Sequence, residues 1–131
     1  MTELPGLTVV HRRYVDAAHA HYAGGLVDGA FVLALFGDVA TEVCIRADGD
    51  EGLFASYSDV QFRAPVRAGD VLEVQAQLVR VGRRSRTLEF TATVVCRGAA
   101  DGSSRSTVLD PPLVATTATG VVVVPADMHP S

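Results

Sequence analysis

LVDGAFVLALFGDVATEVCI, residues 26–45, is the stretch on which the fold turns. It is twenty residues long and largely apolar, which is enough to cross a bilayer. Asp28, Asp38 and Glu42 interrupt it. Each carboxylate near a bilayer centre costs roughly 2.5–3.5 kcal/mol on insertion scales, and no basic flank fixes an orientation. The segment therefore reads as the buried helix of a soluble fold. At about 100° per residue the three acids fall within about 80° of one another, a polar stripe on an apolar rod. A helix apolar on nearly every other side has to be wrapped by something.

The flanking sequence supplies the wrapping. GLTVVHRRYV (6–15) has the β-branched content of a strand, and LFASYSDVQF (53–62) alternates before closing on Ala64-Pro65. DVLEVQAQLVRV (70–81) sets Leu72, Val74, Ala76 and Leu78 against Glu73, Gln75 and Gln77, the pattern of a half-buried strand. Gly82 and the run Arg83, Arg84, Ser85, Arg86 predict a hairpin turn, TLEFTATVVC (87–96) the returning strand, and LVATTATGVVVV (113–124) the last one. The Gly-, Ser- and Asp-rich stretch between them, 98–112, predicts a mobile connection. The expected class is α+β in the hotdog arrangement, a curled antiparallel five-stranded sheet wrapped around one long central helix, with an ordinary α+β sandwich as the alternative. We expect a single domain, 1–131, with its core at about 6–125. The open sheet edges predict at least a homodimer.

The 131 residues are 48% hydrophobic and 20% charged, which excludes a disordered or fibrous chain. All 11 basic residues are arginine, and 15 acidic residues leave a net charge of -4. Nothing in that balance favours nucleic acid. Cys44 and Cys96 allow one disulfide at most, and no leader precedes the first strand-like run, so a reducing, cytoplasmic setting is expected.

Candidate chemistry concentrates in residues 16–54. Gly24-Gly25 before the helix suits backbone N–H groups that hold a carbonyl oxygen becoming an oxyanion, although a pair of glycines also makes a plain turn. Asp28 is either a helix-start acid or a functional one, and Asp38 and Glu42 are either catalytic or paired with an arginine from the sheet or a partner subunit. His19 and His21 share the spacing of metal ligands, but without a cysteine pair or HExxH motif we expect no metal. His11 and His129 carry no signal, and Cys44 reads as packing. Glu51 stands in GDEGLF (49–54) as a solvated turn carboxylate or a base. Arg80, Arg83, Arg84 and Arg86 form either a phosphate landing site or a solvated hairpin tip.

Three strings resemble the 3-aminobutyryl-CoA ammonia-lyase family: HYAGGLVDGAFVLALFGDVATE, then DGDEGLFASYSDVQFRAPVRAGDVLEVQAQLVRVGRRSR, then ATGVVVVPAD, together spanning about residues 19–127. Its relatives include β-alanyl-CoA ammonia-lyase and, more widely, the hotdog acyl-CoA thioesterases. The resemblance implies a hotdog subunit with sites at a dimer interface, in an assembly of a homodimer at least and up to a hexamer. It also implies a CoA thioester substrate and reversible loss of ammonia from a β-aminoacyl group. Ala23 and Gly25 stand where the family pattern leads us to expect glycine and asparagine. Such chemistry needs a base for the α-proton, for which Glu51 or Asp28 is expected, with His21 assisting. It also needs N–H groups near Gly24 and Gly25 at the thioester oxygen, and Arg83, Arg84 and Arg86 at the CoA phosphates. No cofactor beyond the substrate's CoA is implied. The alternatives are a thioesterase in which Asp38 activates water, acting on a CoA or carrier-protein thioester, and a non-catalytic acyl-CoA binder.

Overall fold

The computed structural model describes residues 5–125, so His129 lies outside it. The chain runs through β1 (Thr8–Tyr14), β2 (Ala20–Tyr22), β3 (Leu26–Val27), α1 (Gly29–Asp48), β4 (Leu53–Phe62), β5 (Val66–Arg67), β6 (Val71–Val81), β7 (Ser85–Gly98) and β8 (Ser106–Val123). Single 3-10 turns at Ala17–His19 and Ala23–Gly25 flank β2. The main sheet is antiparallel throughout, in the order β1-β6-β7-β8-β4, and α1 packs mainly on β6 and β1. A small sheet, β2-β3-β5, sits beside the helix start and was not read from the sequence.

Alternation places the core. Leu72, Val74, Ala76 and Leu78 of β6 pair with Val94, Ala92, Phe90 and Leu88 of β7, and all eight are buried. Against them α1 presses Val32, Leu35, Phe36, Val39, Ala40, Val43 and Cys44, with the Phe36 and Phe90 rings stacked at 4.8 Å. Each of the buried Val, Leu and Phe side chains contributes about 1.5–3 kcal/mol.

The helix starts later than expected. Leu26 and Val27 are drawn into β3, and Asp28, with extended backbone, caps the helix by accepting the Phe31 N–H at 3.0 Å. It ends later too, at a left-handed Gly49 whose N–H donates to the Ile45 carbonyl. Nor is it wrapped on all sides. Ala34, Asp38, Ile45 and Arg46 are exposed along its outer face, because one sheet covers only one side.

Strand β4 does not alternate cleanly. An irregularity between Phe54 and Ser56 and another between Ser58 and Gln61, where Asp59 takes φ 52°, each insert extra backbone. These bulges bring Phe54, Tyr57 and Val60, spaced by three, onto the core side. The expected connection 98–112 is largely strand: β7 extends to Gly98, β8 starts at Ser106, and Leu109–Pro112 bulge out between the Cys96–Val108 and Val94–Leu113 pairs. The bulge admits prolines that could not donate to the ladder.

Two ion pairs, each on a buried acid, hold the ends of β7. Arg86 forks onto both oxygens of Asp48 at 2.8 Å and donates also to the Gly82 and Ser85 carbonyls. Arg97 forks onto Asp70 at 2.9 Å, while Asp70 accepts the Arg67 N–H.

Candidate active site

A groove separates α1 from β4, and the candidate residues divide along it. At the helix start, Asp28, Gly29 and Val32 face Phe62, Arg63 and Val66 across a cavity of about 220 Å³. The Phe62 ring lies so close to Gly29 that a Cβ there would meet it at 2.5 Å, so a side chain at the first helical residue would have to displace that ring. His21 Nδ1 stands 4.0 Å from Asp28 Oδ2. Further along, Gly37, Asp38 and Thr41 face Glu51, Gly52 and Phe54 across a second cavity of about 240 Å³. The structure thus pairs Asp28 with His21 and Asp38 with Glu51, and does not gather the four. Ten residues separate Asp28 from Asp38, roughly 15 Å along the helix at 1.5 Å per residue.

Glu51 is exposed and lies at a junction. Besides the acidic groove it borders a cleft of about 280 Å³ with Leu53, Val123, Val124, Pro125 and Arg84. Arg84 is held loosely there by the Val124 carbonyl at 3.4 Å, and Arg83 is exposed at the same hairpin tip. Arg86 departs from its expected phosphate role. Its side chain is 6% exposed and its donors are committed to Asp48 and two carbonyls, which raises its pKa further. The sequence showed four arginines at one turn; strand alternation turns this one inward.

Gly24 and Gly25 take φ 76° and 75°, a left-handed turn that favours glycine. They do not abut the helix as expected, because Leu26, Val27 and Asp28 intervene. Of the helix-start N–H groups, that of Phe31 is occupied by Asp28. Glu42 is paired, but not with a sheet arginine: it bonds His11 of β1 at 2.7 Å and Arg46 of its own helix at 2.8 Å. The His11 bond and then the Arg46 bond hold its carboxyl below the usual range. His11, which carried no signal, is thus the strand's tie to the helix. His19 packs on the Phe31 ring at 4.4 Å and His21 against Tyr22, so the two histidines face different neighbours. Cys44 is fully buried and its thiol is pushed up to about 11 by desolvation, as packing requires.

Gly37, Thr41, Phe54 and Tyr57 line or bound the groove without having been singled out. The first had a readable signal, an isolated glycine within a helical pattern. The aromatics had none, because only the bulges of β4 turn them inward. No helix among the described residues is long and apolar enough to cross a membrane.

Residues 24–98 match the Thioesterase superfamily. The chain is 50% identical over 114 residues to 3-aminobutyryl-CoA ammonia lyase of Acetoanaerobium sticklandii, covering 86% of this chain and 90% of that one. It superposes on β-alanyl-CoA:ammonia lyase from Clostridium propionicum with a TM-score of 0.91 at 37% identity, covering 96% of this chain and 90% of the other. An acyl-CoA hydrolase from Staphylococcus aureus, solved with butyryl coenzyme A and coenzyme A, shares the fold at 18% identity, with a TM-score of 0.72 over 92% of this chain and 64% of that one.

Proposed function

The chain belongs to the thioesterase superfamily and, within it, to the CoA-thioester ammonia-lyase family, and on that premise we propose that it catalyses the reversible elimination of ammonia from a β-aminoacyl-CoA such as 3-aminobutyryl-CoA, giving the enoyl-CoA. The observation that carries this reading is the position of Glu51, between an acidic groove and an apolar cleft that leads to Arg84. A CoA thioester fits that path. Its aminoacyl end lies beside Asp38 and Glu51, its pantetheine along Leu53 and Val123, and its phosphates at Arg84 and Arg83.

Elimination then needs little else. The Glu51 carboxylate takes the α-proton, and the electrons of that C–H bond pass into the thioester as an enolate. As the enolate collapses to the Cα–Cβ double bond, the C–N bond breaks and ammonia leaves with its electron pair. Glu51 returns its proton to the departing ammonia, so ammonium is released and the carboxylate is regenerated. Asp38 offers the cationic amine a counter-charge in the ground state. The reaction is redox-neutral and calls for no cofactor beyond the CoA of the substrate.

The enolate oxygen needs N–H donors, and those at the Gly24-Gly25 turn and helix start lie at the far end of the groove. A second copy brings them near. Among the described residues no strand pairs with the outer edge of β4, and Leu53 at one end is 77% exposed and Phe62 at the other 58% exposed. Antiparallel pairing of two such edges about a two-fold axis sets the start of one β4 beside the end of the other. Glu51 then faces Asp28 of the partner subunit, and each dimer holds two composite sites.

Crotonyl-CoA incubated with the protein and ammonium, read by mass spectrometry with free thiol assayed in the same tube, tests the function. A mass gain of one ammonia is expected, and Glu51→Gln should abolish it while the fold is retained. Free CoA without an adduct would replace the lyase by a thioesterase, with Asp38 as the group that activates water.

A further inference from the structure

The groove between α1 and β4 is bridged by one side-chain hydrogen bond among the described residues. The Tyr57 hydroxyl donates to the Leu33 carbonyl at 2.7 Å, using a lone pair that the helix ladder leaves over. Its ring is braced by Phe54, 4.3 Å away, and Phe90, 6.1 Å away. On the helix, Leu33 lies between Val32 of the first cavity and Gly37 of the second; on β4, Tyr57 lies between Phe62 of the first and Phe54 of the second. The bridge therefore crosses the groove between the two cavities. On one side is the acidic cavity with Glu51, and on the other a mixed cavity in which Val27, Val32, Phe62 and Val66 stand with Asp28, Arg63 and Thr116.

We propose that Tyr57 sets the acyl-chain length the enzyme accepts, by closing the groove just beyond the reacting carbons. This inference rests on the reading of the Glu51 groove as the acyl site. A short β-aminoacyl group fills the cavity up to the Tyr57 ring. A chain two or more carbons longer meets that ring, although a cavity that offers it the side chains of Val27, Val32, Phe62 and Val66 lies beyond. The bulge at Ala55 is what turns Tyr57 inward, so an edge-strand irregularity places the stop. Burial pushes the phenol up to about 12, so it stays a neutral donor across the working pH range.

Isothermal titration with butyryl-, hexanoyl- and octanoyl-CoA, which lack a leaving amine, reads the stop without turnover. Wild-type protein should bind butyryl-CoA and discriminate against the longer chains. Tyr57→Ala should join the two cavities and improve hexanoyl relative to butyryl affinity by roughly tenfold, from the burial of two methylenes. Tyr57→Phe, which keeps the ring, should retain the discrimination. Tyr57→Leu serves the same purpose should the alanine variant fail to fold. Equal wild-type affinity for all three, or an unchanged ratio in a folded Tyr57→Ala or Tyr57→Leu variant, would overturn the proposal. Failure of the wild type to bind butyryl-CoA at all would instead remove the functional reading and this proposal with it.

Discussion

Replacing Arg86 by Met should cost stability rather than CoA affinity. The pair it forms with Asp48 is almost wholly removed from solvent, the two side chains being 6% and 4% exposed. Truncating the arginine strands a buried carboxylate and the Gly82 and Ser85 carbonyls, a loss of about 3–5 kcal/mol. With an unfolding entropy of about 2.1 cal/mol/K per residue, a chain of this length should melt roughly 10–18 °C lower. Asp48→Asn should behave alike. The double variant Asp48→Leu/Arg86→Met should recover much of the loss, because no charge is then left unpaired. Arg84→Ala gives the contrast, an unchanged melting temperature with weaker CoA binding. Differential scanning calorimetry and CoA titration on the same preparations measure both quantities. An Arg86→Met protein that melts like wild type but binds CoA weakly would refute the argument from burial and return Arg86 to the phosphate site.

Further outcomes follow from the groove and the helix. Asp28→Asn and Glu51→Gln homodimers should each be impaired, yet mixing and refolding the two should restore about a quarter of wild-type activity as hybrids with one intact composite site, half of the dimers each carrying one of two sites; no restoration would place both groups within one chain's site. Gly37 sits mid-helix with nothing within 4 Å of a Cβ, so Gly37→Ala should stabilise the helix by about 1 kcal/mol while intruding on the groove. Its signature is a raised melting temperature with a raised KM. Glu42 has its folded pKa lowered by His11 and then Arg46, so its stabilising contribution is present above the ordinary carboxylate value and is lost as pH falls through the lowered one. The melting-temperature gap between wild type and Glu42→Gln should therefore close in acid.

Periodicity exposed the parts of this fold that bury one face. β6 and β7 alternate cleanly because α1 covers one side of them, and the helix itself was visible as an apolar run broken by acids. Its ends were not, since a two-residue strand and the Asp28 cap depend on β5, which lies forty residues further on. The candidate site was legible as residue types and not as places. Asp38 and Glu51 come to line one cavity because the chain turns back beyond Gly49, whereas Arg86 could not be told from Arg83 and Arg84 until strand register had turned it inward. Phe54 and Tyr57 were hidden for another reason: two bulges in β4 break the alternation from which a facing residue would be inferred.

The ion pairs at the two ends of β7 bear on which alignments of the sheet are possible at all. A slip of β7 by two residues along β6 would keep Leu88, Phe90, Ala92 and Val94 on the inner face, so hydrophobic pattern alone tolerates it. The same slip would carry Arg86 away from Asp48 and Arg97 away from Asp70 together, leaving two acids buried without counter-charge. The central strand is thus indexed at both ends, like a ruler pinned at two marks.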